Sequence, residues 1–159
     1  MSIQPGQTLP DVEIRVIDGD IRTTRTGELF VGRKAVLFAV PGAFTPTCSN
    51  KHMPGYVTHY RDFRDRGIDV MCLSVNDAYV MQAWGVAQQV PAGLLLLADG
   101  NAGFTRALGL ELDGSGYGMG LRARRFALYA VDGVVEQLHE EAPGEFRVSS
   151  AEAMLAAVV

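Results

Sequence analysis

Cys48 closes the segment Val40-Pro41-Gly42-Ala43-Phe44-Thr45-Pro46-Thr47-Cys48, where the apolar run Lys34 to Val40 stops. Thr45 is a favoured helix N-cap type, and Pro46 suits the first helical position, where its missing N–H costs nothing. Cys48 is then expected at the third helical position. Unpaired backbone N–H groups and the positive end of the helix dipole stabilise an anion there. The nucleophilic form of cysteine is such an anion. An ordinary thiol, with pKa roughly 8.5, is only a few per cent ionised near neutrality, whereas helix N-termini and nearby cations lower it to about 3.5–7.5. The Thr45 hydroxyl, three residues back, can reach the sulfur, and Pro41 can wall its pocket. Cys48 therefore reads as a reactive thiol.

A reactive thiolate needs a fixed cation, and Leu121-Arg122-Ala123-Arg124-Arg125-Phe126 offers three arginines. Read as one strand, it puts Arg122, Arg124 and Phe126 on one face and Arg125 on the other with the small Ala123 and Ala127. Arg122 and Arg124 are expected to form a solvated basic patch. His52, four residues after Cys48, shares its helical face. Protonated, it supports the thiolate; otherwise it packs or orients a loop, and both roles stay open. His59 and His139 are read as ordinary surface or core residues. Cys72 lies in a buried apolar strand, where a thiol is held protonated and inert.

Pro-x-x-x-Thr-x-x-Cys in this setting, followed by His52-Met53-Pro54-Gly55-Tyr56, resembles the active-site segment of peroxiredoxins. Within that family it is similar to the atypical type II, or peroxiredoxin-five, subfamily, in a bacterial or plant-like form without a C-terminal resolving cysteine. The likeness runs from the N-terminal hairpin through Val131, including Leu73-Ser74-Val75-Asn76-Asp77 and Arg124-Arg125-Phe126. It implies a thioredoxin-like fold and a thiol-specific peroxidase that reduces hydrogen peroxide and alkyl hydroperoxides. Cys48 would become a sulfenic acid. The resemblance assigns catalysis to Cys48, Thr45, Arg125 and Pro41, and substrate binding to Thr47, Phe44 and His52. The Thr45 hydroxyl and the Thr47 and Cys48 N–H groups would cradle the leaving oxygen. Phe44, Trp84, Met119 and Leu121 would line an apolar mouth, with core packing preferred for Trp84. No metal or cofactor is implied. The partners are an external thiol, glutathione with glutaredoxin or else thioredoxin, and a second copy in a homodimer.

The elements that must position these groups alternate. Asp11 to Ile17 and Ile21 to Thr26 flank Asp18-Gly19-Asp20 as an N-terminal β-hairpin. Lys34 to Val40 is a buried strand feeding the Cys48 helix, expected to run to about Arg66 with a kink at Pro54. Strands Ile68 to Val75 and Leu94 to Ala98 alternate with helices Ala78 to Ala87 and Ala102 to Leu108. Gly114 to Gly120 is expected as a mobile loop. Asp132-Gly133 joins strands Arg124 to Val131 and Val134 to Glu140, and Ser149 with Glu152 is a capping box for a last helix, Ser150 to Val158. The class is α/β, a mixed central sheet flanked by helices.

At 159 residues, with 48% hydrophobic and 20% charged, the chain suits one domain, 1–159. A net charge of −4 argues against general affinity for nucleic acid or acidic membranes. No apolar run approaches the roughly 18 residues that span a bilayer, and no basic segment followed by an apolar one opens the chain, so no leader is expected. Two cysteines without zinc-ligand spacing suit a reducing compartment, so a cytoplasmic location is expected. Two other classes compete. A dithiol–disulfide oxidoreductase needs Cys-x-x-Cys, and position 45 is threonine. A redox sensor or chaperone-like binding protein would keep the thiol without rapid turnover.

Overall fold

A computed structural model describes residues 2–158. In chain order, β1 (Glu13–Asp18) and β2 (Asp20–Arg25) form the expected N-terminal hairpin, turning on Gly19 at φ 75°. A short helix, α1 (Thr26–Phe30), follows where the sequence suggested only the end of a strand. Then come β3 (Lys34–Ala39), the Cys48 helix, β4 (Ile68–Ser74), α4 (Ala78–Ala87), β5 (Leu95–Ala98) and α5 (Gly103–Leu108). The Cys48 helix includes α2 (Met53–Thr58) and α3 (Tyr60–Asp65). A small ribbon, β6 (Glu111–Asp113) and β7 (Leu121–Ala123), precedes β8 (Phe126–Val131), β9 (Val134–Glu140) and α6 (Ala151–Ala157).

The main sheet has seven strands in the order β2-β1-β5-β4-β3-β8-β9. Its centre, β3-β4-β5, is parallel and its flanks are antiparallel. Side chains alternate across it as the pleat requires. Leu37 and Leu73 enter a core with Phe30 and Phe104, whereas Phe38, Cys72 and Leu96 enter the opposite core with Cys48, Tyr56 and Trp84. Burial on both faces explains the nearly unbroken apolar runs of β3 to β5.

Four local expectations need correction. The long helix is not continuous: Cys48–His52 is a π-helical stretch, in which the Met53 N–H bonds the Cys48 carbonyl five residues back. Pro54, which has no N–H to give, lies just beyond this widened turn, and a further break at His59 separates α2 from α3. The 114–120 segment is not a bare loop. It is the tip of the β6–β7 ribbon, with a 3-10 turn at Ser115–Tyr117. The strand expected from Arg124 bends at Arg124 and Arg125 before β8 begins. The cap of α6 is Ser150, whose hydroxyl accepts the Ala153 N–H at 3.1 Å, because the Ser149 hydroxyl is bonded to Glu141.

Candidate active site

Strand β3 delivers the chain to Pro41 beside the carboxyl ends of the parallel strands, and a tight loop turns it into the helix. Two side chains hold that loop. Asn76 Oδ1, after β4, accepts the Ala43 N–H at 3.0 Å and the Ser74 hydroxyl at 2.5 Å. The Thr45 hydroxyl donates to the Gly42 carbonyl at 2.6 Å. Between them Phe44 is held at φ 64°, a left-handed conformation unusual for a bulky residue and of a kind that clusters at functional sites. Pro46 opens the helix, and the Ser49 N–H makes an early bond to the Thr45 carbonyl at 2.9 Å. Cys48 stands at the third helical position, fully buried.

Arg125 reaches it from the bend before β8. One guanidinium nitrogen, Nη2, donates to Cys48 Sγ at 3.1 Å, and the other, Nη1, lies 2.8 Å from His52 Nδ1. A guanidinium only donates, so His52 Nδ1 must accept. The proton of the neutral imidazole then belongs on Nε2, which donates to the Ser149 carbonyl at 2.9 Å. Burial first, and the Arg125 charge second, lower the His52 pKa from 6.5 to about 3. His52 therefore stays neutral. The expectation that it binds substrate, or supports the thiolate as a cation, is corrected: it is wholly buried and holds Arg125.

The Ser149 carbonyl also accepts the Tyr56 hydroxyl at 2.8 Å. Ser149 belongs to a segment organised by Glu141, which the sequence did not single out. Glu141 is 6% exposed, and its carboxylate accepts the N–H groups of Arg147, Val148 and Ser149 and the Ser149 hydroxyl, at 2.7–2.9 Å. Burial alone would raise its pKa, but the hydrogen bonds from Ser149 and the neighbouring backbone outweigh it and hold the carboxyl below its ordinary value. The Glu141 N–H bonds the Arg125 carbonyl at 3.0 Å. Phe146, from the same segment, lies 5.9 Å beneath the Arg125 guanidinium carbon and 4.9 Å from the His52 ring.

A cleft of about 380 Å³ borders this centre, lined by Pro41, Thr47, Arg125, Met119, Arg122 and Tyr117 among others. Of the four residues expected at an apolar mouth, only Met119 lines it. Trp84 is buried, its Nε1–H on the Ser49 hydroxyl at 3.0 Å, and Leu121 packs against the core. Phe44 points elsewhere: it is 56% exposed but outside the cleft lining, which corrects its place in substrate binding. Arg122 is not a solvated charge either. It is half-buried, its Nε on the Met119 carbonyl at 2.8 Å and its Nη1 3.5 Å from the Pro41 carbonyl. Arg124 is exposed, as expected, and pairs with Glu140 at 2.8 Å. Cys72 is buried in β4, and burial, then the nearby Cys48 charge, push its pKa well up.

The chemistry of the arrangement is that of a sulfur nucleophile beside a fixed cation. The family model for redoxins matches residues 4–155. The chain belongs to the peroxiredoxins. It is 49% identical to the chloroplastic peroxiredoxin-2E of Arabidopsis thaliana over 163 aligned positions, covering 99% of this chain and 70% of that one. Reduced Prx3 of Vibrio vulnificus, solved in complex with hydrogen peroxide, superposes with a TM-score of 0.91 at 51% identity, over 98% of this chain and 95% of that one. Peroxiredoxin 5 of Alvinella pompejana gives 0.85 at 35% identity, over 98% and 97%. The mixed sheet with helices on both faces is accordingly the thioredoxin-like fold, and thiol peroxidase chemistry is the activity of this peroxiredoxin.

Proposed function

We propose that this peroxiredoxin reduces hydrogen peroxide and organic hydroperoxides to water and alcohols through a sulfenic acid on Cys48, and is recycled by glutathione and glutaredoxin. The observation that carries the reading is the 3.1 Å contact of Arg125 Nη2 with Cys48 Sγ at a helix N-terminus. The thiolate attacks one peroxide oxygen, an S–O bond forms as the O–O bond breaks, and the leaving oxygen departs with a proton as water or alcohol. Because the Thr45 proton is engaged by Gly42, its oxygen is left to accept the peroxide's O–H rather than to donate. Stabilising the leaving oxygen then falls to Arg125 and to the Thr47 and Cys48 N–H groups, which at the second and third helical positions have no carbonyl one turn back. Pro41 walls the site and Thr47 faces the cleft.

The relative from Vibrio vulnificus binds hydrogen peroxide, which supports the smaller substrate. The cleft supports larger ones: its 380 Å³ far exceeds a peroxide group, and Leu112, Tyr117 and Met119 offer apolar wall beside the cation of Arg122. The same room suits a glutathione thiol approaching the sulfenic acid. No cofactor enters. The thiol condenses to a mixed disulfide with loss of water, and a second thiol releases Cys48; thioredoxin is the alternative reductant. We place the reaction in the cytoplasm, on the two-cysteine composition, and in a homodimer formed through the face carrying the exposed Phe44. Stopped-flow consumption of peroxide, with glutathione plus glutaredoxin or with thioredoxin as reductant, tests the proposal. Rapid turnover with the first pair supports it, whereas a single slow oxidation of Cys48 without turnover would mark a sensor instead.

A further inference from the structure

The Arg125 guanidinium must aim one nitrogen at sulfur and the other at His52, yet an arginine side chain has four rotatable bonds and rests in a bend, outside any strand. Something must remove that freedom. The restraint can be followed outward. His52 accepts from Arg125 only while its proton stays on Nε2, and that proton stays there only while the Ser149 carbonyl faces it at 2.9 Å. No strand or helix holds Ser149; it lies in the irregular segment between β9 and α6. The Tyr56 hydroxyl meets the same carbonyl and the His139 ring the Val148 carbonyl, while the N–H side of the segment is held by Glu141, whose buried carboxylate draws in three consecutive N–H groups and one hydroxyl of residues 147–149. The backbone of Glu141 grips the other end of the same unit, its N–H on the Arg125 carbonyl at 3.0 Å.

We propose that Glu141 is a positioning residue for peroxide reduction: by clamping the 147–149 segment and the Arg125 backbone, it sets the His52 tautomer and thereby the guanidinium against Cys48. The inference rests on Cys48 being the peroxidatic sulfur. Glu141 borders the cleft but makes no hydrogen bond to Cys48, and it acts through Ser149 and His52. Its charge suits the task, since a carboxylate accepts at both oxygens, whereas a glutamine would turn an NH₂ group toward backbone donors.

The test is a double-mutant cycle on the rate of single-turnover peroxide reduction. Glu141→Gln should slow the wild-type protein about 10-fold but change a His52→Phe background less than about 2-fold, because the two residues act along one chain of contacts. A purely structural role predicts equal slowing in both backgrounds. Ser149→Ala removes only the hydroxyl contact and leaves the Ser149 N–H bonded, so it serves if Glu141→Gln does not fold. It should slow the wild type about 3-fold, again only while His52 is present. ¹⁵N spectra of the His52 ring give a second readout. Wild-type protein should carry the proton on Nε2, and Glu141→Gln, or Ser149→Ala to a lesser degree, should mix the tautomers. Equal slowing in both backgrounds, unchanged rates in the folded variants, or a wild-type proton on Nδ1 would overturn the role of Glu141. Wild-type protein that fails to reduce peroxide would instead overturn the peroxidase reading itself.

Discussion

A guanidinium keeps its proton at any pH the protein meets, so the variable in the Arg125–His52 contact is the imidazole. Protonated, His52 would lose its acceptor and face Arg125 as a like charge. The folded pKa, about 3, lies below the ordinary 6.5, so the unfolded chain binds this proton more readily. By linkage, the stability His52 contributes is fully present above about pH 6.5 and is lost as pH falls from there toward 3. Urea titrations at pH 7.5, 6.0 and 5.0 should therefore show wild-type stability falling more steeply than that of His52→Phe. Parallel curves would mean that the ring is not neutral in the fold. At the same scale, Cys48→Ser should abolish turnover while Cys72→Ser keeps most of it, since only Cys48 has a helix N-terminus and a guanidinium at 3.1 Å. Arg125→Ala should slow peroxide reduction at least about 10-fold, and Arg125→Lys should not restore it, because one ammonium cannot reproduce the two-pronged contact to sulfur and His52. Stopped-flow rates of the four variants decide both points.

At the scale of elements, the loop from Pro41 to Pro46 carries the catalytic geometry without regular hydrogen bonding of its own. Asn76 replaces it, and Asn76→Ala would leave the Ala43 N–H and the Ser74 hydroxyl without their partner. A loss of about 1–3 kcal/mol in denaturant unfolding is expected, together with slower peroxide reduction, because Phe44 would no longer be held at positive φ. Asp99→Ala is a useful contrast. Its carboxylate caps α5 through Phe104 N, Thr105 N and the Thr105 hydroxyl and bonds nothing in the Cys48 loop, so the variant should lose about 1–3 kcal/mol but keep its rate. Equal kinetic damage in both would show that the loop gains nothing specific from Asn76. These elements differ in how openly the sequence announces them. Apolar runs bounded by glycine and proline made β3 to β5 legible, and Asp132-Gly133 made the β8–β9 turn legible, because each depends on local chemistry. The family resemblance selected Arg125, and the alternation that supported it only partly holds. It lies two residues before Ala127, on the thiol side, but the bend puts Ala123 in the opposite core. The Ser150 cap follows from the Glu141 carboxylate having taken the Ser149 hydroxyl, a contact no local pattern announces. Glu141 left no local mark: its partners follow by six to eight residues in a segment without periodicity, and its consequence, a fixed His52, lies 89 positions back along the chain.

At the scale of the whole molecule, the question is how oxidised Cys48 returns to the thiol. An internal disulfide needs a second sulfur with its Cα within about 7 Å and a path to the first. Pro143 to Ser150, where subfamily members that form an internal bridge carry a second cysteine, contains none. Cys72 remains the internal candidate, and the fold works against it in two ways. It sits in β4 between two parallel neighbours, paired in register with Phe38 of β3 and Leu96 of β5, so freeing its backbone would open the centre of the sheet. Burial also pushes its pKa well up, which keeps it a thiol, and it is the thiolate that attacks. An external thiol would meet neither obstacle, since a small flexible chain could enter the cleft at Pro41 and Thr47. Peptide mapping after one equivalent of peroxide, quenched before reductant is added, should show oxidised Cys48 and no Cys48–Cys72 bridge. Adding glutathione before the quench should then yield the Cys48 mixed disulfide by intact mass, in Cys72→Ser as fully as in the wild type. A predominant internal bridge formed at the rate of turnover would overturn the one-cysteine cycle and require the sheet to open around β4.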